Sequence, residues 1–186
     1  MERVFEQQTM IYSFTGAQST GKTTLLKLCK ERHKNFKYVD EVTRKIHRNG
    51  YDINNTANNY DQTQLLICED HLRNIRLNGK YLLDRCIVDV YVYTRYLFER
   101  EKVSIETYRL TKCLLDCYVN KYTKIFYTDP RDVKLVDDGV RSADKEFRDS
   151  IVGIYNAIGI ECFDNVIKLS GTVEERYNQI KPFLEL

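Results

Sequence analysis

No apolar run in this sequence approaches the roughly 18 residues that a helical membrane span needs, so a membrane protein is not expected. The opening stretch MERVFEQQTMIYSF mixes charges with apolar residues and lacks a signal-peptide core, which makes a cytoplasmic protein the expectation. CxxC pairs are missing too. The six cysteines (Cys29, Cys68, Cys86, Cys113, Cys117 and Cys162) lie inside apolar patterns, so buried free thiols are expected rather than disulfides or a zinc site. Tryptophan is absent while tyrosine occurs 14 times, which gives tyrosine the general duty of core and rim packing. There are no internal repeats and no low-complexity segments. The net charge of +2 supplies no global drive toward nucleic acid. Locally the balance differs, because residues 27–48 hold eight Lys or Arg against three acids. A solvated face accounts for such a run, and a phosphate-attracting patch is the functional alternative.

What is present is alternation. Strand-like runs occur at 9–15, 36–40, 80–84, 123–129 and 165–170. Segments with helical apolar spacing lie near 22–33, 42–48, 60–77, 87–99, 104–120, 144–158 and 172–183. Parallel strands need crossovers, and right-handed crossovers put helices on both faces of the sheet. One α/β domain over residues 1–186 is therefore expected, a three-layer sandwich around a five-stranded parallel sheet. Ligands in such folds sit at the carboxyl ends of the strands. Here those ends read FTGAQSTGKT, VDEVTR, LLDRC, FYTDPRD and KLSGT.

The first of these contains Gly16-Ala17-Gln18-Ser19-Thr20-Gly21-Lys22-Thr23, a full G-x-x-x-x-G-K-[ST] match between a strand and the amphipathic TTLLKLCKER. Gly16 and Gly21 let the backbone curl so that its amides point at a polyphosphate, to which the following helix presents its positive end. Lys22 supplies a charge for the β and γ phosphates and Thr23 a hydroxyl for Mg²⁺, with Thr24 next in the chain. A nucleoside triphosphate and Mg²⁺ are the expected ligands. A guanine-reading NKxD is absent; the nearest string, VNKYTK, lacks the acid. Asp84 ends an apolar strand, which suits it to accept a proton from an attacking hydroxyl or to orient Mg²⁺ through water, and Arg85 follows it.

At these residues the sequence resembles the P-loop nucleoside and nucleotide kinases, whose members often carry an acid-Arg pair at this point. The E-x-x-R of Glu41 and Arg44 in YVDEVTR is similar to the nicotinamide-riboside-kinase-like, AAA-like ATPase/kinase family of phages and bacteria. The resemblance implies an acceptor side formed by Glu41, Arg44, Arg85 and Asp89. It also implies a lid near 135–150 whose Arg141 and Arg148 close on the transferring phosphoryl group, and a turn at Ser170 and Gly171 against the adenine. Taken residue by residue, Glu41 and Arg44 also have the spacing of a plain helix ion pair, and Ser170 or Thr172 the position of a helix cap. Tyr51, Asp52, Asn58, Tyr60, Gln62 and Gln64 lie on the acceptor side by position, and Tyr91 or Tyr93 falls one or two turns after Arg85. The activity implied is transfer from Mg-ATP, with Lys22, Asp84, Arg141 and Arg148 catalytic, to a small nucleoside, nucleotide or nicotinamide riboside. Two alternatives stay open: a modified base or 5′ end in DNA as acceptor, and an ATP-binding regulatory module that transfers nothing.

Overall fold

Alternation within single strands decides the layers. In β1 (Met10–Thr15) Ile11 points into one apolar cluster while Tyr12 and Phe14 point into another. β3 (Lys80–Asp84) sends Leu83 to the first and Leu82 to the second, and β4 (Lys124–Thr128) divides Ile125 and Tyr127 from Phe126 in the same way. Both faces of the sheet are therefore apolar and each needs a helical layer. The computed structural model describes residues 9–51, 60–128, 130 and 145–185.

α1 (Lys22–Arg32) and α7 (Val173–Leu184) cover the face that holds Phe14 and Phe126, through Leu25, Leu26, Tyr177 and Ile180. The opposite face is covered by α2 (Val42–Arg48), α3 (Tyr60–Asn74), α4 (Ile87–Phe98), α5 (Ile105–Tyr118) and α6 (Lys145–Ala157). With β2 (Lys37–Val39) and β5 (Val166–Leu169), the sheet has the order β2-β3-β1-β4-β5, and every pairing is parallel. The expected three-layer α/β sandwich is the fold observed.

This order puts a switch point at β1. The chain leaves β1 for β2, returns through β3 to β1's side, then crosses to β4 on β1's other flank. Connections diverge there to opposite edges and leave a crevice at the carboxyl end of β1, the place where such sheets bind ligands. One expectation is corrected. Cys29, Cys68 and Cys86 are buried free thiols, but Cys113, Cys117 and Cys162 are exposed. On α5 the first two share a solvent face with the ion-paired Lys112 and Asp116, while Leu115 turns inward.

Candidate active site

The loop after β1 folds as its glycines require. Gly16 has φ +137°, and a Cβ there would lie 2.6 Å from Thr128 Oγ1 and 2.9 Å from Thr128 O, closer than packed atoms approach. Gly21 has φ +85° and is the N-cap of α1, so the helix begins as the loop closes. Ser19 takes φ +54°, a left-handed conformation that suits a tight loop. Thr20 ties the loop to the neighbouring strand: its hydroxyl is 2.6 Å from Thr128 Oγ1 and donates to Ala17 O at 2.9 Å.

Lys22 is buried within this ring. Its Nζ donates to Gly16 O at 2.9 Å, Ala17 O at 2.5 Å and Thr20 Oγ1 at 3.1 Å. Thr23 Oγ1 donates to Asp84 Oδ2 at 2.7 Å across the gap between β1 and β3. Burial first, and then the nearby Glu41 carboxylate, raise the Asp84 pKa above its ordinary value, against the pull of Lys22 and Arg85. Asp84 does not cap α4; Cys86 does, with Asp89 Oδ2 accepting from its backbone N–H at 3.0 Å.

These residues fit a magnesium nucleotide. The cradle has no room for a side chain at Gly16, the ammonium lies inside it, and the Thr23–Asp84 pair offers hard oxygens. Among the described residues no group of three or more His, Cys, Asp or Glu side chains stands ready to cage a metal.

Beside Asp84 lies a buried charge cluster. Arg85 adopts φ +92°, a backbone region costly for a long side chain, and the reward is visible in its contacts. Its Nε donates to Glu41 Oε1 at 2.7 Å and its Nη1 to Asp89 Oδ1 at 2.5 Å, while Nη2 is 3.4 Å from Tyr93 OH. Burial alone would lower the Arg85 pKa, but Tyr93, Glu41 and Asp89 outweigh it and hold the group firmly charged. Glu41 Oε2 accepts from Arg44 Nε at 3.1 Å, so the E-x-x-R spacing makes the helix ion pair and joins Arg44 to the cluster. Arg44 is half-buried at the rim.

Asp89 is occupied within the protein. Thr15 Oγ1 at 2.8 Å, Tyr155 OH at 3.0 Å, Arg85 and the Cys86 amide take its four acceptor directions. It braces Arg85 rather than facing the cleft. Tyr155 OH also accepts from Gly16 N at 3.2 Å, which links the first glycine of the loop to this brace. Of the two tyrosines after Arg85, Tyr93 joins the site, its OH donating to Gln18 Oε1 at 3.4 Å, whereas Tyr91 turns to Tyr108 in the core. Gln18 is fully buried and its Nε2 has no hydrogen-bond partner.

The other candidates among the described residues make contacts of their own. Arg148 is buried in α6 and donates from Nη2 to the Pro130 carbonyl. Of the lid at 135–150 only 145–150 are described, as the start of α6; Arg141 lies outside the described residues, as do Asp52 and Asn58. Gln64 Oε1 accepts from Thr94 at 2.9 Å. Thr24 is exposed on α1. Ser170 is exposed, with its backbone bound at both N–H and C=O by Gln179. Gly171 has φ +95°, and a Cβ there would meet Glu175 Oε2 at 2.5 Å. Thr172 is the cap of α7 and forms a capping box with Glu175. The basic segment is partly neutralised, since Arg32 pairs with Glu174, Lys45 with Asp70 and Arg44 with Glu41.

Arg176 is a residue that sequence reasoning missed. It is buried and donates from Nη1 to the Thr20 carbonyl at 2.8 Å. Its signal was a charge on a helical apolar stripe, one position before Tyr177 and four before Ile180.

A family model described as an AAA domain matches residues 11–176. No curated protein matches the sequence. Among solved structures, a deoxyadenosine kinase from M. mycoides superposes with a TM-score of 0.65 at 13% identity, over 95% of this chain and 98% of that one. A thymidylate kinase from Candida albicans gives 0.62 at 14% identity, over 96% and 92%. At such identities the likeness is one of fold. The family match runs from β1 into α7, and the chain therefore belongs to this AAA-domain family, built on the P-loop nucleoside/nucleotide-kinase fold.

Proposed function

We propose that the protein is a Mg²⁺-ATP-dependent phosphotransferase that moves the γ-phosphoryl group to a nucleoside, a nucleotide or nicotinamide riboside. The observation that carries this reading is the meeting of two machines at one point. The phosphate loop, through Thr23, touches Asp84, and the next residue, Arg85, holds Glu41 in a buried pair. A module that only bound ATP would need the first half and not the second.

In this reading Lys22 and the loop amides hold the triphosphate, and Thr23 and Asp84 hold Mg²⁺, directly or through water. Mg²⁺ bound there neutralises phosphate charge and orients the chain for in-line attack. Asp84, tied to Thr23, belongs to the metal side, so Glu41 is the carboxylate best placed to take the proton of an acceptor hydroxyl. Arg85 pairs with Glu41 and orients it, and Arg44 at the rim meets the acceptor. Arg141 and Arg148 are proposed as the lid cations. The two kinases that share the fold act, by their names, on deoxyadenosine and thymidylate, which supports a small nucleoside or nucleotide as acceptor.

The test is an ATP-consumption screen across ribo- and deoxynucleosides, their monophosphates, nicotinamide riboside and DNA oligomers, at low and high salt. Consumption raised by one small acceptor is the expected result. Consumption raised only by DNA and falling steeply with salt would move the acceptor to the polymer. Tight ATP binding with no acceptor raising consumption would overturn the kinase reading.

A further inference from the structure

We propose that Arg176 is a positioning residue of the donor site, which sets the phosphate-facing amide of Gly21 and adds a buried positive charge behind the phosphate loop. The inference rests on the reading of that loop as a polyphosphate site, and it extends the site to α7, an element outside the loop motif.

The geometry runs through one peptide plane. Arg176 Nη1 donates to Thr20 O at 2.8 Å. In a trans peptide the C=O and the following N–H point in opposite directions, so fixing the Thr20 carbonyl on the α7 side turns the Gly21 N–H to the other side of the plane. Gly21, at φ +85°, has no side chain to fix this plane itself. The rest of Thr20 is tied as well, its hydroxyl to Ala17 O and Thr128 and its Oγ1 to the Lys22 ammonium. Arg176 holds the carbonyl of the residue that precedes Gly21 and Lys22.

Charge acts in the same direction. Arg176 carries a guanidinium and is only 2% exposed, so little water screens its field. Its nitrogen lies 3.8 Å from where a Gly21 Cβ would stand, which brings the cation against the turn where α1 starts. The N-terminal end of α1, Lys22 and Arg176 then present positive potential to the phosphate chain from three directions.

The experiment measures binding of Mg-ATP and of Mg-tripolyphosphate by titration calorimetry to wild type, Arg176→Met and Arg176→Lys, with thermal melts in parallel. Met keeps the apolar stem; Lys keeps the charge and loses the fork. The expected result is that Arg176→Met weakens both ligands by the same factor, roughly 10- to 100-fold, as loss of a hydrogen bond from a charged donor implies. Arg176→Lys should recover part of that loss. Folded Arg176→Met that binds both ligands as wild type does, with only a lower Tm, would overturn the proposal. So would a loss confined to ATP, which would assign the residue to the base. If Arg176→Met does not fold, Arg176→Lys decides: a loss of a few-fold on both ligands supports the proposal and an unchanged affinity overturns it. Wild type that binds neither ligand would instead sink the reading of the loop on which all this rests.

Discussion

The donor half of the site is made largely of backbone, to which Lys22 and Thr23 add side chains, and the acceptor half of side chains alone. Gly16 to Thr23 is one continuous stretch in which glycine conformations, carbonyls and a helix start create the cradle. The acceptor half draws Glu41 and Arg44 from the start of α2, Arg85 from just after β3 and Tyr93 from α4, and Asp84 joins it to the donor half through Thr23. A backbone site is fixed mainly by local sequence, here with Thr128 and Arg176 as its ties to the rest of the fold. A side-chain site is fixed by the fold and by its own charges, so each member depends on the others.

The largest expected effect follows from that dependence. Arg85→Met leaves Asp89 without its cation and Glu41 with the half-buried Arg44, both carboxylates being 3% exposed. Breaking a buried pair in this way costs about 3–5 kcal/mol. Urea unfolding should show that loss; a change under about 1 kcal/mol would mean that the acceptor half is held by packing rather than charge.

The two halves should separate next in ligand binding and kinetics. Lys22→Met should cut transfer by about 10²–10³-fold and weaken Mg-ATP, because the ammonium lies within the cradle. Glu41→Gln should lower the rate by a similar factor, about 10²–10³-fold, yet leave ATP affinity as it was, since its bonds run to Arg44 and Arg85 on the acceptor side. If both variants lost ATP affinity equally, the division into two halves would fail.

Acid should strike the acceptor side first. His71, buried in α3, is depressed from 6.5 to about 4, chiefly by burial, with Arg85 lowering it further and Asp89, Asp70 and Glu41 opposing. The folded state thus binds this proton less readily than the unfolded state. Stability attributable to His71 is complete above pH 6.5 and is lost progressively as pH falls toward 4, by about 3 kcal/mol in total at 1.4 kcal/mol per pH unit. His71→Phe should flatten this part of the stability profile between pH 6.5 and 4; an unchanged slope would show that other groups carry the acid sensitivity.

The same contrast explains what could be read in advance. Element positions followed from period alone and held to within a residue or two at most ends, as at β3, expected and found at 80–84. α3 stops at Asn74 rather than 77, because Arg76 and Leu77 turn back onto Arg73 and Asn74. The Asp84 partnership with the loop followed from its place at a strand end. Strand order did not, since both flanks of β1 read as equally apolar. Nor did the closed state of Asp89: its partners Thr15 and Tyr155 lie 74 and 66 residues away and are joined to it only by the fold.

The smallest effect tests the far edge of the donor half. The turn at Ser170 and Gly171 was expected against the adenine, while the observed contacts of Thr172 are those of a helix cap. Its hydroxyl accepts from Glu175 N at 3.3 Å, and Glu175 Oε2 accepts from Thr172 N at 2.7 Å. Thr172→Ala should therefore cost about 1 kcal/mol of stability. The start of α7 places Arg176 four residues on, so fraying there should loosen the contact to Thr20 only slightly, and Mg-ATP affinity should change by less than about twofold. A loss of affinity that exceeds the loss of stability would mean that Thr172 meets the nucleotide directly and that the donor half takes a further side chain from the turn before α7.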